Sequence, residues 1–140
     1  MEHDLSRFIK AQENSYEVAL SEIKSGRKRS HWMWYIFPQF KGLGFSETSK
    51  YYSIKNLDEA QRYLNHPILG ERLKIVTKEL LAINENSANI VFGNPDDLKL
   101  KSSMTLFATI DNTEENIFKS VLEKFFNGQS DNKTLALIKK

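Results

Sequence analysis

Residues 26–45, GRKRSHWMWYIFPQFKGLGF, are the part of the chain that least resembles an ordinary amphipathic helix. Three consecutive cations, Arg27, Lys28 and Arg29, lie at the start of the stretch, six aromatic residues follow, and a proline and a Gly-x-Gly sequence lie towards its end. Proline and glycine are typical of turns rather than of helix interiors. We therefore predict an irregular, aromatic-rich segment over 27–45 and infer the fold from the periodic segments around it.

Outside this stretch, apolar residues recur at the three- and four-residue spacing of amphipathic helices. The pattern predicts a long first helix over 4–25, with Asp4 as its N-cap and Gly26 as its stop. Five further helices are predicted over 58–65, 67–83, 87–93, 114–126 and 131–138. Thr113 and Asp131 are the expected N-caps of the last two, because their side-chain oxygens accept hydrogen bonds from free backbone N–H groups.

The segment 96–110, DDLKLKSSMTLFATI, fits two patterns. Its apolar residues alternate like those of a strand, while Leu100, Met104 and Phe107 also form a helical stripe. The Asn-Pro-Asp sequence at 94–96 is typical of a helix start, and the neighbouring segments are helical. We predict a helix here as well, which gives an all-α fold of six to seven helices in a single domain over 1–140.

The composition is that of a globular protein, with 40% hydrophobic and 27% charged residues. No apolar run approaches the roughly 18 residues of a membrane span, and the N-terminus lacks the pattern of a signal peptide. The chain has no cysteine, which excludes disulfides, thiolate zinc sites and a cysteine nucleophile. We expect a cytoplasmic protein without membrane partners. The net charge of +2 does not by itself indicate a nucleic-acid-binding protein.

Four motifs follow one another in the order of a known family: GRKRSHWMWYIFPQ (26–39), GLGFS (42–46), EAQRYLNHPILGERL (59–73) and VFGNPDDLKLKSSMTLF (91–107). The chain resembles the small bacterial proteins called domain of unknown function 1810, which genome annotation sometimes mislabels calpastatin. The resemblance covers nearly the whole chain, from DLSRFIKAQ near the start to TLALI near the end. It implies a single, mainly helical domain in a cytoplasmic bacterial protein, and it supplies no catalytic residues.

The central stretch carries groups that suit an anionic ligand with a planar ring. Its basic triplet (27–29) can neutralise phosphate or carboxylate, and the rings of Trp32 and Trp34 offer flat faces for stacking. The amide of Gln39 can recognise a base edge. The alternative is that the aromatic run is buried core and the cations stabilise the C-terminus of the first helix. Two tryptophans so close together favour a site, because each brings an N–H group that needs a partner when buried.

A second polar cluster lies within the predicted helix 96–110. Asp97 and Lys101 are four residues apart and therefore share one helix face, with Ser102 and Ser103 beside them. Serine is unusual in a helix interior because its hydroxyl competes for backbone hydrogen bonds. We predict that these four side chains line a ligand site. The alternative is a solvated face on which Asp97 and Lys101 form an ordinary surface pair.

Acid–base chemistry has two candidates, His31 within the central stretch and Glu47, the acid nearest to it in sequence. The alternative for Glu47 is a capping role, together with Ser46, at the start of a short segment that bears two tyrosines. The histidines His3, His31 and His66 are scattered, so no metal site is predicted. The Gly-x-Gly of 42–44 lacks a third glycine and a preceding strand, and no P-loop is present, so no cofactor is predicted.

The leading hypothesis is a site for an anionic small molecule, nucleotide-like or ADP-ribose-like, between the central stretch and the 97–105 segment. Whether the ligand is hydrolysed, and so whether the protein is an enzyme, is left open. The alternative is a non-enzymatic interaction or dimerisation module whose aromatic stretch is partly exposed. A third hypothesis, weak nucleic-acid binding through the basic triplet, fits the charge only locally. The sequence indicates neither the oligomeric state nor whether the two segments meet in space.

Overall fold

A computed structural model describes residues 5–139, and over these residues the regular structure consists of ten α-helices and one isolated parallel bridge between Phe40 and Ile54. The all-α class is confirmed, whereas the predicted number of six to seven helices is too low. The helices are α1 (Ser6–Gln12), α2 (Tyr16–Lys24), α3 (Met33–Ile36), α4 (Glu47–Tyr51), α5 (Leu57–Asn65), α6 (Leu69–Ala82), α7 (Ala88–Phe92), α8 (Asp96–Ile110), α9 (Ile117–Phe126) and α10 (Asn132–Ile138).

The predicted first helix over 4–25 is in fact two helices, because the chain turns at 13–15 between α1 and α2. The two helices have different neighbours: α1 packs against α3, and α2 packs against α6. The turn follows Gln12, whose buried side chain donates hydrogen bonds to the Tyr35 carbonyl (2.7 Å) and the Tyr63 hydroxyl (3.0 Å). Asp4, the predicted N-cap, lies outside the described residues.

Two short helices account for the rest of the difference between the predicted and the observed number of helices. Helix α3 lies inside the segment 27–45 that was predicted to be irregular, and α4 follows directly after it. Ser46 caps α4 by accepting a hydrogen bond from the Ser49 backbone N–H (3.1 Å), as predicted. Gly26, the predicted stop of the first helix, follows α2 with a φ of +80°, a conformation that glycine adopts without strain.

The segment 96–110 is a helix, as predicted, and Asp131 caps α10 by accepting from the Thr134 N–H (3.0 Å). The start of α9 differs from the prediction. Asn116 rather than Thr113 is its N-cap, and it accepts a hydrogen bond from the Lys119 N–H (3.0 Å). The Asn116 amide also donates to the Ala108 carbonyl (2.9 Å). This hydrogen bond holds Asn116 next to the end of α8, so α9 begins later in the sequence than predicted.

Helix α8 is the centre of the packing. It contacts α5, α7, α9 and α10, and every residue from Ser102 to Phe107 is buried. The Phe107 ring lies 5.7 Å from the ring centroids of both Tyr63 and Phe118, so one side chain of α8 joins α5 to α9. Over the described residues, no helix combines the length and the apolar character that crossing a membrane requires.

Candidate functional site

The candidate site is built around α3, which has only four residues. Met33 and Ile36 are buried in the core, and this leaves Trp34 and Tyr35 half-buried at the surface. A helix this short has few hydrogen bonds of its own, so its position depends on contacts with the rest of the fold.

The carboxylate of Glu22, on α2, fixes the segment that leads into α3. Its Oε1 accepts hydrogen bonds from the backbone N–H groups of Arg29 (2.8 Å) and Ser30 (3.0 Å). The same oxygen accepts from the indole N–H of Trp32 (2.9 Å), and Oε2 accepts from the Ser30 hydroxyl (2.6 Å). Burial acts to raise the pKa of Glu22, but these hydrogen bonds outweigh it and lower the pKa from 4.5 to about 2. Glu22 is therefore ionised at neutral pH and holds residues 29–32 against α2.

The two tryptophans have different environments. Trp32 is 1% exposed, and its ring lies 6.2 Å from the ring centroids of both Phe37 and Phe92. The ring of Trp32 is therefore covered by core residues. Trp34 is half-buried at the surface, and the ammonium of Lys99 lies 4.5 Å from its ring centroid. Of the two predicted stacking surfaces, only that of Trp34 is accessible, and the Lys99 ammonium lies over its ring.

A cleft of about 470 Å³ lies between Trp34 and α8. One side of this cleft is formed by Gln39 and the loop 43–46, and the other by residues of α8 and by the start of α10. A smaller hollow of about 250 Å³ adjoins the cleft and shares six lining residues with it: Trp34, Gln39, Leu43, Gly44, Phe45 and Ser49. Phe45 is 82% exposed, an unusual environment for a large aromatic side chain.

The lining of the cleft and the adjoining hollow is positively charged. Lys99 and Lys133 line the cleft, and Lys41 and Lys50 line the adjoining hollow. The carboxylate in this lining is Asp131, which is engaged as the cap of α10 and also accepts a hydrogen bond from the Ser102 hydroxyl (3.2 Å). The arrangement suits an anionic ligand with a planar group that stacks on Trp34.

A third depression, which we call the tyrosine hollow, lies between α3 and α4 and has a volume of about 570 Å³. Trp34 also lines this hollow, so one side chain borders all three depressions. The other lining residues are His31, Tyr35, Glu47, Thr48, Tyr51 and Tyr52.

The structure brings parts of both predicted clusters together. Trp34 and Gln39 from the central stretch line the cleft with Ser102 from α8. His31 and Glu47, the acid–base candidates, both line the tyrosine hollow. The two segments therefore meet in space at Trp34. The sequence alone did not indicate this contact.

The basic triplet lies elsewhere. Arg27 and Arg29 are exposed and line neither the cleft nor the hollows described here. Lys28 is turned inward, where its ammonium forms an ion pair with Asp96 (2.8 Å) and contacts the Ser30 carbonyl. The triplet thus gives no continuous cationic surface, because its middle residue is used within the fold.

On α8 the face that meets the cleft differs from the predicted one. Asp97 accepts hydrogen bonds from the Asn89 amide (3.3 Å) and from the Leu98 N–H (2.9 Å), outside the cleft lining. The Lys101 ammonium lies 5.9 Å from the ring centroid of Phe126, and Ser103 is fully buried. Of the four predicted residues, Ser102 alone reaches the cleft.

The cleft lining also includes residues that were not among the predicted ligand-binding residues, among them Phe45, Leu98, Lys99, Asp131 and Lys133. For two of these residues, the sequence has a feature that could have predicted their place in the site. Lys99 lies three residues before Ser102 and therefore on its helix face. Phe45 follows a glycine turn, where an aromatic residue has no helical or strand neighbours to bury it.

A family described as "Protein of unknown function (DUF1810)" matches residues 2–138. The chain belongs to this family. The crystal structure of the conserved hypothetical protein Rv1873 from Mycobacterium tuberculosis is similar to it, with 44% sequence identity and a TM-score of 0.94. The match covers 98% of this chain and 97% of the Rv1873 chain. None of the curated proteins matches the chain.

Proposed function

We propose that the cleft binds a small anionic ligand with a planar group, of which a nucleotide is the simplest example. The observation that carries the proposal is the position of Trp34, a half-buried aromatic side chain that borders the cleft and the adjoining hollow next to four lysines. In this arrangement the planar group stacks on Trp34, and the lysines bind the phosphate groups.

Individual roles follow from the lining. Lys99 and Lys133 bind phosphate oxygens in the cleft, since both of these lysines line it. Gln39 offers its amide to the ligand, because its side chain belongs to the cleft lining. Phe45, largely exposed at the mouth of the cleft, supplies a second apolar contact. Hydrolysis of the ligand is a further hypothesis, with His31 and Glu47 in the tyrosine hollow as the acid–base candidates.

Titration of the protein with ADP, adenosine and inorganic pyrophosphate tests the proposal, because the three probes separate the planar and anionic parts of the ligand. We expect ADP to bind more tightly than either fragment. Lys99→Ala and Lys133→Ala should each weaken ADP binding by about two- to fivefold, the effect of losing one solvent-accessible charge pair with a phosphate. Lys78→Ala is the matched control, since this exposed lysine lies on α6 outside the cleft.

Tryptophan fluorescence places the bound probe. Trp34→Phe keeps an aromatic ring but removes the accessible indole. In this variant the fluorescence quenching by ADP should disappear, while ADP binding measured by calorimetry should persist. Trp34→Leu should lose both. The proposal is wrong if none of the probes binds, or if Lys99→Ala weakens binding no more than Lys78→Ala.

A second candidate function is an interaction module without enzymatic activity. It is favoured by the exposure of Phe45 (82%) and Leu98 (55%), two apolar side chains that both line the cleft. Light scattering of the wild type and of Phe45→Ser distinguishes the two functions. A dimer that dissociates in the variant, together with no response to ADP, would favour the interaction module.

A further inference from the structure

The tyrosine hollow is a separate chemical environment from the cleft, and aromatic rings form most of its walls. The ring centroids of Tyr51 and Tyr52 are 4.8 Å apart with an interplanar angle of 75°. Those of Tyr35 and Tyr52 are 5.2 Å apart at 56°. These rings are inclined to one another rather than stacked flat, and Trp34 adds a fourth ring to the lining.

Hydrogen bonds and core packing hold this surface in place. The Tyr35 hydroxyl donates a hydrogen bond to the His31 carbonyl (3.1 Å) and lies 3.0 Å from the Ser15 hydroxyl. Tyr52 packs against Phe8 in the core, with the ring centroids 6.0 Å apart. The walls are therefore arranged before any ligand binds, which reduces the entropic cost of binding.

The charge of the hollow is opposite to that of the cleft. Glu47 lines it, and neither lysine nor arginine does. Glu47 and Tyr51 are four residues apart on α4, so the carboxylate and the ring lie on the same helix face. The nearby guanidinium of Arg7 donates to the Tyr51 carbonyl (2.8 Å) and pairs with Glu59 (3.1 Å), which compensates its charge.

The Tyr52 hydroxyl does not add negative charge at neutral pH. Burial, and next the neighbouring hydroxyls of Tyr51 and Tyr35, raise the pKa of Tyr52 above its ordinary value. The carboxylate of Glu47 is the one acidic side chain in the lining, beside the aromatic rings and the imidazole of His31.

We propose that the tyrosine hollow binds an organic cation of the quaternary or methylated ammonium class. The faces of aromatic rings attract cations, and several rings around one cavity are the usual means of recognising a methylated ammonium. Its methyl groups fill an apolar space that a primary ammonium, which is strongly hydrated, would have to enter at a cost in lost hydration. Glu47 balances the charge. The inference stands independently of anion binding in the cleft, because the cleft takes an anion and the hollow takes a cation. It is an alternative to the hydrolysis hypothesis, which assigns His31 and Glu47 of the hollow to acid–base chemistry.

Choline and its uncharged isostere 3,3-dimethylbutan-1-ol are the probes that test this inference. The two molecules have the same shape, so a difference in affinity reports the charge alone. In NMR chemical-shift titrations of the full chain at constant ionic strength, choline should bind about tenfold more tightly than the isostere. The resonances that shift should include those of Tyr51 and Glu47.

Four variants separate the contributions. Tyr51→Phe keeps the ring and should keep choline binding, whereas Tyr51→Leu keeps the apolar bulk and should abolish the preference for choline. Tyr51 is 59% exposed, so neither change is expected to unfold the protein. Glu47→Gln should weaken binding of choline and leave that of the isostere unchanged. Glu17→Gln, an exposed acid on α2 outside the hollow, is the matched control.

Three results would overturn the inference: equal affinity for choline and the isostere, no binding of either, or choline binding that Tyr51→Leu leaves intact. Lys99→Ala distinguishes this failure from a failure of the proposed function. That variant should weaken binding of ADP in the cleft and leave binding of choline in the hollow unchanged.

Discussion

Replacement of Glu22 by glutamine tests how the segment before α3 is held. The carboxylate accepts four hydrogen bonds, from two backbone N–H groups, the Trp32 indole and the Ser30 hydroxyl. Glutamine keeps one oxygen acceptor but removes the charge, and it places an NH₂ group where Oε2 accepts from Ser30. We expect Glu22→Gln to lower the free energy of unfolding at pH 7 and to loosen residues 29–32.

The magnitude follows from the pKa of Glu22, which falls from 4.5 to about 2 in the folded protein. A difference of about 2.5 pH units corresponds to about 3.4 kcal/mol of stability, at about 1.4 kcal/mol per unit. Because Glu22 is partly exposed, solvent screening reduces this value to roughly 1–2 kcal/mol. The folded-state pKa is depressed, so this stability is fully present above pH 4.5 and is lost as the pH falls towards about 2.

Urea denaturation of the wild type and Glu22→Gln at several values of pH between 7 and 2.5 measures this contribution. The difference between the two proteins should be largest at neutral pH and should narrow below pH 4.5. Glu17→Gln, on the same helix but exposed, should change stability by no more than about 0.5 kcal/mol. A difference for Glu22→Gln that is absent at pH 7, or that stays constant down to pH 2.5, would refute the reasoning.

Three further predictions concern the packing around the site. A Cβ atom on Gly70 would lie 2.0 Å from the Leu64 carbonyl oxygen, so Gly70→Ala should force α5 and α6 apart and lower the free energy of unfolding by about 3 kcal/mol or more, as measured by urea denaturation. The Lys124 ammonium donates to the carbonyls of Leu80 (2.7 Å) and Leu81 (3.2 Å) at the end of α6, so Lys124→Met should lower the free energy of unfolding by about 1–3 kcal/mol. The control Lys119→Met, which replaces an exposed lysine, should change it little. Burial raises the pKa of Tyr63 well above its ordinary 10.0, so tyrosinate absorbance of the folded protein at pH 11 should correspond to fewer than the five tyrosines of the chain. All five should ionise once the protein unfolds, and full ionisation of the folded protein would contradict the burial of Tyr63.

The helices that the sequence predicts correctly are those with local signals. Asn56 and Ser87 cap α5 and α7 through backbone N–H groups only three residues away, so neighbouring residues decide where these helices start. The break after Gln12 has no such signal, because apolar residues continue at helical spacing on both sides of it. That break depends on the partners of Gln12, the Tyr35 carbonyl and the Tyr63 hydroxyl, which are distant in sequence.

The candidate site likewise depends partly on local sequence and partly on contacts between distant residues. The composition of residues 26–45 was enough to predict aromatic and polar groups for a site, but it did not indicate that they meet α8. The structure shows that Trp34, Gln39 and Ser102 share one cleft. Which tryptophan is accessible was decided by Glu22, whose carboxylate holds the indole of Trp32 in the core. Which face of α8 lines the cleft was decided by the packing of α10, whose cap Asp131 accepts a hydrogen bond from Ser102.

The sequence by itself therefore determined the helical class, most helix starts and the kinds of side chain available for a site, since these depend on residues within a few positions of one another. The tertiary structure alone decided which of those side chains face a common space. Lys28 and Lys99 both pair with Asp96, yet only Lys99, together with Lys133, lines the cleft. Their positions depend on contacts between residues far apart in the chain, and local periodicity contains no information about such contacts.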